Sequence, residues 1–241
     1  MSSRIIISDP HGCLETLKSL VAKLPEGIPI TFAGDFIDRG PDSAGVVDYI
    51  MNSGHDAIIG NHEVMMLNDI EFRVKEDGTE QVFAPQDGDW RYNGGDAALR
   101  SYLKEDGTYD IPRLKKHVEW FKTLPYFIEY PELKDDKGQH LLVSHSTPAH
   151  VWGEYSPENP IFKQSILWER DPMPPKIDGR FSVYGHTPQK FKPTIKDHFA
   201  AIDGGCYYKY SDYNRLTAFQ FPEMIVYEVR NCEQEPENET K

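Results

Sequence analysis

The sequence predicts an α/β fold in which two packed, mixed β-sheets are flanked by helices. An apolar run, a polar loop and a helical stretch follow one another three times by Leu67, and that alternation implies parallel βαβ units. Each of the three loops gathers residues of the ligating kind: Ser8-Asp9-Pro10-His11-Gly12, Gly34-Asp35-Phe36-Ile37-Asp38-Arg39-Gly40 and Gly60-Asn61-His62-Glu63. From Tyr126 onward short apolar runs dominate, so a mostly antiparallel half is expected to follow, with residues 1–230 forming one domain.

Residues 4–8 read as a β-branched strand, and Leu14, Leu17, Leu20, Val21 and Leu24 recur at helical spacing until Pro25-Glu26-Gly27. Ile30-Thr31-Phe32-Ala33 is a second strand. The next helix starts after Pro41-Asp42-Ser43 and carries Val46, Val47, Ile50 and Met51 on its buried face. Ala57-Ile58-Ile59 is the third strand, and Val64 to Leu67 form an apolar helix. Residues 71–89 lack a clear period and read as a surface excursion, before a short helix over 96–103 and another that begins near Pro112. Tyr126–Tyr130 and His140–Ser144 flank an Asp135-Asp136-Lys137-Gly138 turn as a hairpin would, and a proline-containing stretch over 148–180 holds one short helix near 162–168. Strands are expected again at 181–184, 200–202, 216–221 and 225–229, and the acidic residues 231–241 read as a disordered tail.

With 39 acidic against 26 basic residues, the net charge of −13 disfavours long nucleic acids, whose non-specific binding requires Lys and Arg at phosphates. An acidic shell still admits an anionic substrate where cations and arginines gather in one cleft. No apolar run reaches the roughly 18 residues of a membrane span. Three widely spaced cysteines (Cys13, Cys206, Cys232) and the absence of signal-peptide architecture at the start point to a reducing, cytoplasmic location.

Charged side chains are almost never fully buried unless they are paired or bind metal. Asp35, Asp38 and Arg39 between glycines therefore make a poor core segment, although in isolation they would also suit a solvated turn. Their company decides otherwise. Asp9 and His11 follow one strand, Asn61 and His62 follow another, and His145 and His186 come at later strand ends. Imidazole and carboxylate donors of this kind suit divalent Mn, Fe, Co, Ni or Zn, and a pair of such ions needs a bridging group, for which Asp35 is placed. These residues read together as a two-metal phosphoester hydrolase site. His55, His117, His140, His150 and His198 lack such support and are expected to be structural or solvent-facing.

The three loop motifs resemble the signatures of the calcineurin-like metallophosphoesterases, whose fold is an αββα sandwich. Asp38-Arg39-Gly40 resembles the phosphoprotein phosphatase branch in particular. Val143-Ser144-His145, Ile166-Leu167-Trp168-Glu169-Arg170 and Tyr184-Gly185-His186-Thr187-Pro188 continue the likeness, as does the Trp90 to Gly95 element. Within the family, the compact bacterial and bacteriophage serine/threonine phosphatases, the lambda phage type among them, are most similar. The resemblance implies that Asp9, His11 and Asp35 hold one metal and that Asp35, Asn61, His145 and His186 hold the other, with Mn²⁺ the first choice. It further implies a metal-bridging hydroxide for in-line attack, His62 oriented by Asp38 as the acid, and Arg39 and Arg170 on the phosphoryl oxygens with Asn61 and His62 beside them. Arg170 could instead pair with Glu169 or Asp171 at the surface.

Two stretches depart from the family pattern, Ser146-Thr147-Pro148 and Ile202-Asp203-Gly204-Gly205, and tyrosines at 207, 208 and 210 follow the second. Those departures bear on specificity rather than on chemistry. The first expectation is a Ser/Thr protein phosphatase that also accepts phosphotyrosine, acting on a phosphorylated protein or peptide or a small phosphoester. The alternative is a symmetrical diadenosine tetraphosphate or nucleoside polyphosphate hydrolase, and a third is a non-catalytic binding module.

Overall fold

The structure, a computed structural model, describes residues 3–208 and 212–233. The first half runs β1 (Arg4–Ile7), α1 (Leu14–Val21), β2 (Ile30–Phe32), α2 (Ser43–Met51), β3 (Asp56–Ala57) and α3 (Asn61–Asp69). β1, β2 and β3 pair in parallel, with Ile5 opposite Ile30 and Ile7 opposite Phe32. Side chains alternate across these strands. Ile5 and Ile7 pack under the helices, whereas Ile6 faces the other way, which is why β1 reads as an unbroken apolar run. Asp42 caps α2 by accepting the Gly45 N–H at 2.7 Å.

The chain continues through β4 (Glu71–Val74), β5 (Glu80–Phe83), a π-helical turn (Arg91–Gly95), α4 (Asp96–Arg100) and α5 (Ile111–Phe121). A second sheet is built from β6 (Phe127–Lys134), β7 (His140–Ser144), β8 (Arg180–Tyr184), β9 (Thr194–Ile195) and β10 (Phe199–Ala201), with α6 (Pro160–Trp168) between β7 and β8. β11 (Arg215–Phe221) and β12 (Ile225–Arg230) then return to the first sheet, giving the orders β12-β11-β1-β2-β3 and β6-β7-β8-β10-β9. The result is an α/β fold of two mixed sheets flanked by helices. Ile6, Ala33, Ile58 and Phe219 of the first sheet meet Leu141, Val143, Phe181 and Val183 of the second in one buried layer. The Phe181 and Phe219 rings lie 6.1 Å apart and nearly parallel.

Several expectations change. The second sheet is mixed, because β7, β8 and β10 are parallel while β6 and β9 oppose their neighbours, and the antiparallel character expected of the later half lies in those two edges and in β11–β12, which run antiparallel to each other and to β1. Residues 71–83 are not an irregular excursion but a hairpin, β4–β5, around Asp77-Gly78. Its pattern is weak because little of it is covered: Phe72 and Val82 pack on the core, while Val74 on the same face is exposed. The third strand has a ladder of only Asp56–Ala57, although Ile58 and Ile59 are buried just beyond it. Met51 is half-exposed, and β9 is too short to leave a period. Of the tail, Asn231–Glu233 are ordered against α1. The Cys232 N–H donates to Thr16 Oγ1 at 3.0 Å, and Glu233 accepts the Thr16 N–H at 2.8 Å. Residues 234–241 lie outside the described residues, as do 209–211 of the tyrosine segment. Among the described residues no helix is long and apolar enough to cross a membrane.

The inter-sheet layer yields a direct test. Phe219→Ala removes one ring of the stacked pair and should cost about 3–5 kcal/mol of unfolding free energy in urea titration. A cost below about 1 kcal/mol, the scale of a minor core trim, would show that the two sheets do not depend on this packing.

Candidate metal centre

Parallel strands end on the same edge of a sheet, and the loops leaving that edge converge. β1 delivers Asp9 and His11, β2 delivers Asp35, β3 leads into Asn61 and His62 on the first turn of α3, and β7 and β8 end just before His145 and His186. Backbone hydrogen bonds lock the loops together: Asp9 N–H to Gly34 O at 3.2 Å, His11 N–H to Asp35 O at 3.0 Å, and Gly185 N–H to His145 O at 2.9 Å. The His186 N–H donates to Asp9 Oδ1 at 3.1 Å, which joins the two sheets at the site.

The backbone here is strained. Asp9, His11, Asp35, Asp38, Arg39 and His186 all have positive φ, between 42° and 73°. L-residues avoid that region, and such strain persists only where the surroundings fix it, most often at functional sites. Glu63 supplies much of the fixing. Its buried carboxylate accepts the N–H groups of Gly60 and Asp35 at 2.9 Å, Phe36 at 2.7 Å and Ile37 at 3.3 Å. Burial, then the neighbouring Asp35, pushes the Glu63 carboxyl up to about 7. Gly34 is required as glycine: at φ 83°, an added Cβ would stand 2.6 Å from Gly60 Cα.

Two donor clusters share Asp35: His11, Asp35 and His62, and Asp35, His145 and His186, with the donor atoms of each cluster within 4.8 Å of one another. Asp35 Oδ2 lies 3.6 Å from His11 Nε2 and 3.8 Å from His62 Nε2, and Oδ1 lies 3.4 Å from His145 Nε2. His11 Nδ1 sits 2.9 Å from Ile37 O, and His145 Nδ1 sits 2.9 Å from Ala33 O. A carbonyl only accepts, so these Nδ1 atoms carry protons and each Nε2 faces the site, where a bound cation would take its lone pair, as metal-binding imidazoles require.

Whether cations fit can be judged from what these lone pairs meet. His145 Nε2 and His186 Nδ1 both approach Asn61 Oδ1, at 2.8 and 3.0 Å, and buried His186 Nε2 has no hydrogen-bond partner among the described residues. Three buried carboxylates, Asp9, Asp35 and Asp203, act electrostatically on one another. Burial, then Asp203 and Asp35, drives the Asp9 carboxyl well above its usual range, and burial lifts Asp203 to about 6. Burial would also raise Asp35, but the charges of His145 and His62 outweigh it and hold Asp35 well below the ordinary value. Burial, then the charge of His145, takes His186 down to about 2. Oxygen and imidazole donors crowded around buried negative charge are a setting that divalent cations satisfy. The residues present therefore fit a dinuclear centre.

The site residues expected from sequence are brought together, with two distinctions. Asp9 stands beside the clusters, its carboxylate taken up by the His186 N–H and Ser8 Oγ, while His62 Nε2 reaches the first cluster. Arg170 is exposed beyond the end of α6. It has no ion pair with Glu169 or Asp171 among the described residues, and its charge acts on His186. His62 Nδ1 lies 2.5 Å from Asp38 Oδ2, and Asp38 Oδ1 accepts Trp90 Nε1–H at 2.8 Å. Arg39 Nη1 lies 2.8 Å from His11 Nε2, and its guanidinium lies over the Tyr207 ring at 4.4 Å. Sequence reasoning gave no role to Glu63, Trp90 or Asp203, and gave Tyr207 only a bearing on specificity. Their signals were a helix-start glutamate, a tryptophan ahead of Asn-Gly-Gly and an acid in an apolar stretch. The five histidines set aside stay outside the centre; His117, for example, is held by Tyr102 and Asp48.

Asp35 belongs to both clusters, so Asp35→Asn should lower bound metal at both sites together. Elemental analysis of the desalted Mn²⁺-loaded variant should give well under one equivalent per chain, and two full equivalents would remove Asp35 as the shared donor.

Comparison with known proteins follows the same line. The family model for calcineurin-like phosphoesterases matches residues 4–217. An asymmetrical bis(5'-nucleosyl)-tetraphosphatase, PrpE, of Oceanobacillus iheyensis is 24% identical, covering 90% of this chain and 88% of its own. Serine/threonine-protein phosphatase 1 of Salmonella typhimurium is 25% identical, covering 76% of this chain and 77% of its own. A solved structure of a proposed diadenosine tetraphosphatase superposes with a TM-score of 0.63 at 19% identity, covering 97% of this chain and 95% of that one, a likeness of fold alone. The chain belongs to the calcineurin-like phosphoesterase family, and with its two donor clusters around Asp35 it is a metal-dependent phosphoesterase.

Proposed function

We propose that the chain hydrolyses dinucleoside tetraphosphates or closely related nucleoside polyphosphates, cutting the phosphate chain off centre into a nucleoside mono- and triphosphate. The observation that carries this reading is end-to-end similarity. Relatives named as asymmetrical tetraphosphatases match 90–91% of this chain and 88–91% of their own, that of Bacillus subtilis at 26% identity among them. Symmetrical tetraphosphatases, the alternative raised from sequence, match only about a quarter of the chain, as that of Ralstonia nicotianae does over 65 residues. The phosphoprotein reading, placed first on sequence grounds, becomes second; Asp38-Arg39-Gly40 and the Salmonella relative favour it.

In this reading Asp9, His11 and Asp35 hold one divalent cation and Asp35, Asn61, His145 and His186 the other, with Mn²⁺ first among metals that accept such donors. Such a pair supplies Lewis acidity and an acidified water at neutral pH. The chain's own residues do the rest. Asp38 takes the Nδ1 side of His62 and fixes the ring, leaving Nε2 to deliver a proton to the leaving oxygen. Arg39, 2.8 Å from His11 Nε2, and Arg170, whose charge acts on His186, would take the phosphoryl oxygens, which planar guanidinium groups suit. The enzyme works in the cytoplasm, with residues 1–230 as its catalytic domain.

Rates measured side by side with Mn²⁺ test this. Diadenosine tetraphosphate should exceed phosphoserine, phosphothreonine and phosphotyrosine peptides in kcat/KM, and chromatography should show AMP and ATP. A reversed ranking would establish the phosphoprotein reading, and two ADP would mean central cleavage. His62→Asn should keep its metal and lose about 10²–10⁴ in kcat, the usual worth of general acid help; unchanged kcat would take His62 out of proton transfer.

A further inference from the structure

Asp35 is the midpoint of the centre, and each end carries the same kind of equipment outside the donor set. At the His11 end, Arg39 is gripped by the π-helical turn Arg91–Gly95: its N–H donates to Gly94 O at 3.4 Å, and a Cβ on Gly94 would stand 2.9 Å from Arg39 Cγ. Two residues before Gly94, Tyr92 is 90% exposed, with no hydrogen-bond or ring partner for its side chain among the described residues. That exposure does not come from a loose loop. Trp90 is fastened to Asp38, Asn93 Nδ2 donates to Asp89 O at 2.8 Å, and Arg91 pairs with Asp96 at 2.5 Å. The turn, kinked at Gly94 with φ 110°, is a braced mount for an unused aromatic ring.

At the His186 end, the Trp168 ring meets the His186 ring edge-on at 6.0 Å and is 37% exposed. It lines an open cleft of about 630 Å³ together with Ile161, Gln164 and Glu169, and Arg170 follows two residues later. Each end of the centre therefore has an arginine acting on a donor histidine, and an exposed aromatic two residues along the chain from that arginine or from the glycine that grips it.

We propose that Tyr92 and Trp168 are the two base-stacking platforms for a ligand with a nucleoside at each end, its phosphate chain running from Arg39 over Asp35 to Arg170. The inference rests on the nucleoside polyphosphate reading and adds how that substrate is told from other phosphoesters. Ring–base stacking tolerates any base, because every base has a π-face, and a rigid mount limits the ordering cost. Phosphate contacts position such a ligand and the two rings supply selectivity.

Binding in the His62→Asn background with Mn²⁺ tests this without turnover. Calorimetry would compare diadenosine tetraphosphate with inorganic tripolyphosphate, which has no base. Tyr92→Ala and Trp168→Ala should each weaken the dinucleotide roughly 5- to 150-fold, the worth of one stacked base, and the losses should multiply in the double variant. Tripolyphosphate affinity should stay within about twofold, and Tyr92→Phe and Trp168→Phe should retain most of the dinucleotide affinity. The inference is overturned if the dinucleotide binds the background protein no tighter than tripolyphosphate. It also falls if either alanine variant leaves dinucleotide affinity unchanged, or weakens both ligands equally. If these losses appear but the wild type does not turn the dinucleotide over, the platforms stand and the hydrolase reading alone fails.

Discussion

The structure turns on one buried carboxylate. Asp35 leaves β2 at φ 54°, is 2% exposed, and faces His11, His62 and His145 at 3.4–3.8 Å. A charge so buried is expensive unless opposite charge surrounds it. The imidazoles answer part of that need from one chain, and two divalent cations would answer the rest. Asp9 and Asp203 crowd further carboxyl groups against Asp35, so cations bound here would relieve all three at once.

Holding Asp35 there requires rigid framing, and the two sheets provide it. Their packed layer of Ile6, Phe181 and Phe219 fixes the strands whose ends carry the donors. Glu63 then ties the start of α3 to the loop after β2 through four backbone N–H groups. Together these explain how six non-glycine residues remain at positive φ in one small volume. Strain of this kind aims side chains that relaxed loops would scatter.

Much of this was legible from the amino-acid order. Parallel βαβ units announce themselves by alternation, and that alternation alone puts Asp9, Asp35 and Asn61 at strand ends. His145 and His186 were legible because each follows an apolar run. Other features were not. Strand direction in the second sheet depends on where residues 145–179 cross over, and no local pattern records that. The β4–β5 hairpin hides because only Phe72 and Val82 are covered. Glu63, Trp90 and Asp203 act on the site across 28, 52 and nearly 200 residues of sequence, the first two through the Glu63–Asp35 and Trp90–Asp38 hydrogen bonds and the third through its charge on Asp9. Exposure of Tyr92 could not be read either, because a tyrosine beside Asn-Gly-Gly fits a core turn as well as a rim.

Anomalous diffraction from crystals grown with Mn²⁺ tests the central claim most directly. The account predicts two peaks about 3.5–4 Å apart, the spacing of two-metal sites, with the Asp35 carboxylate between them, His11 on one side and His145 with His186 on the other. A single peak, or two peaks that do not share Asp35, would contradict it.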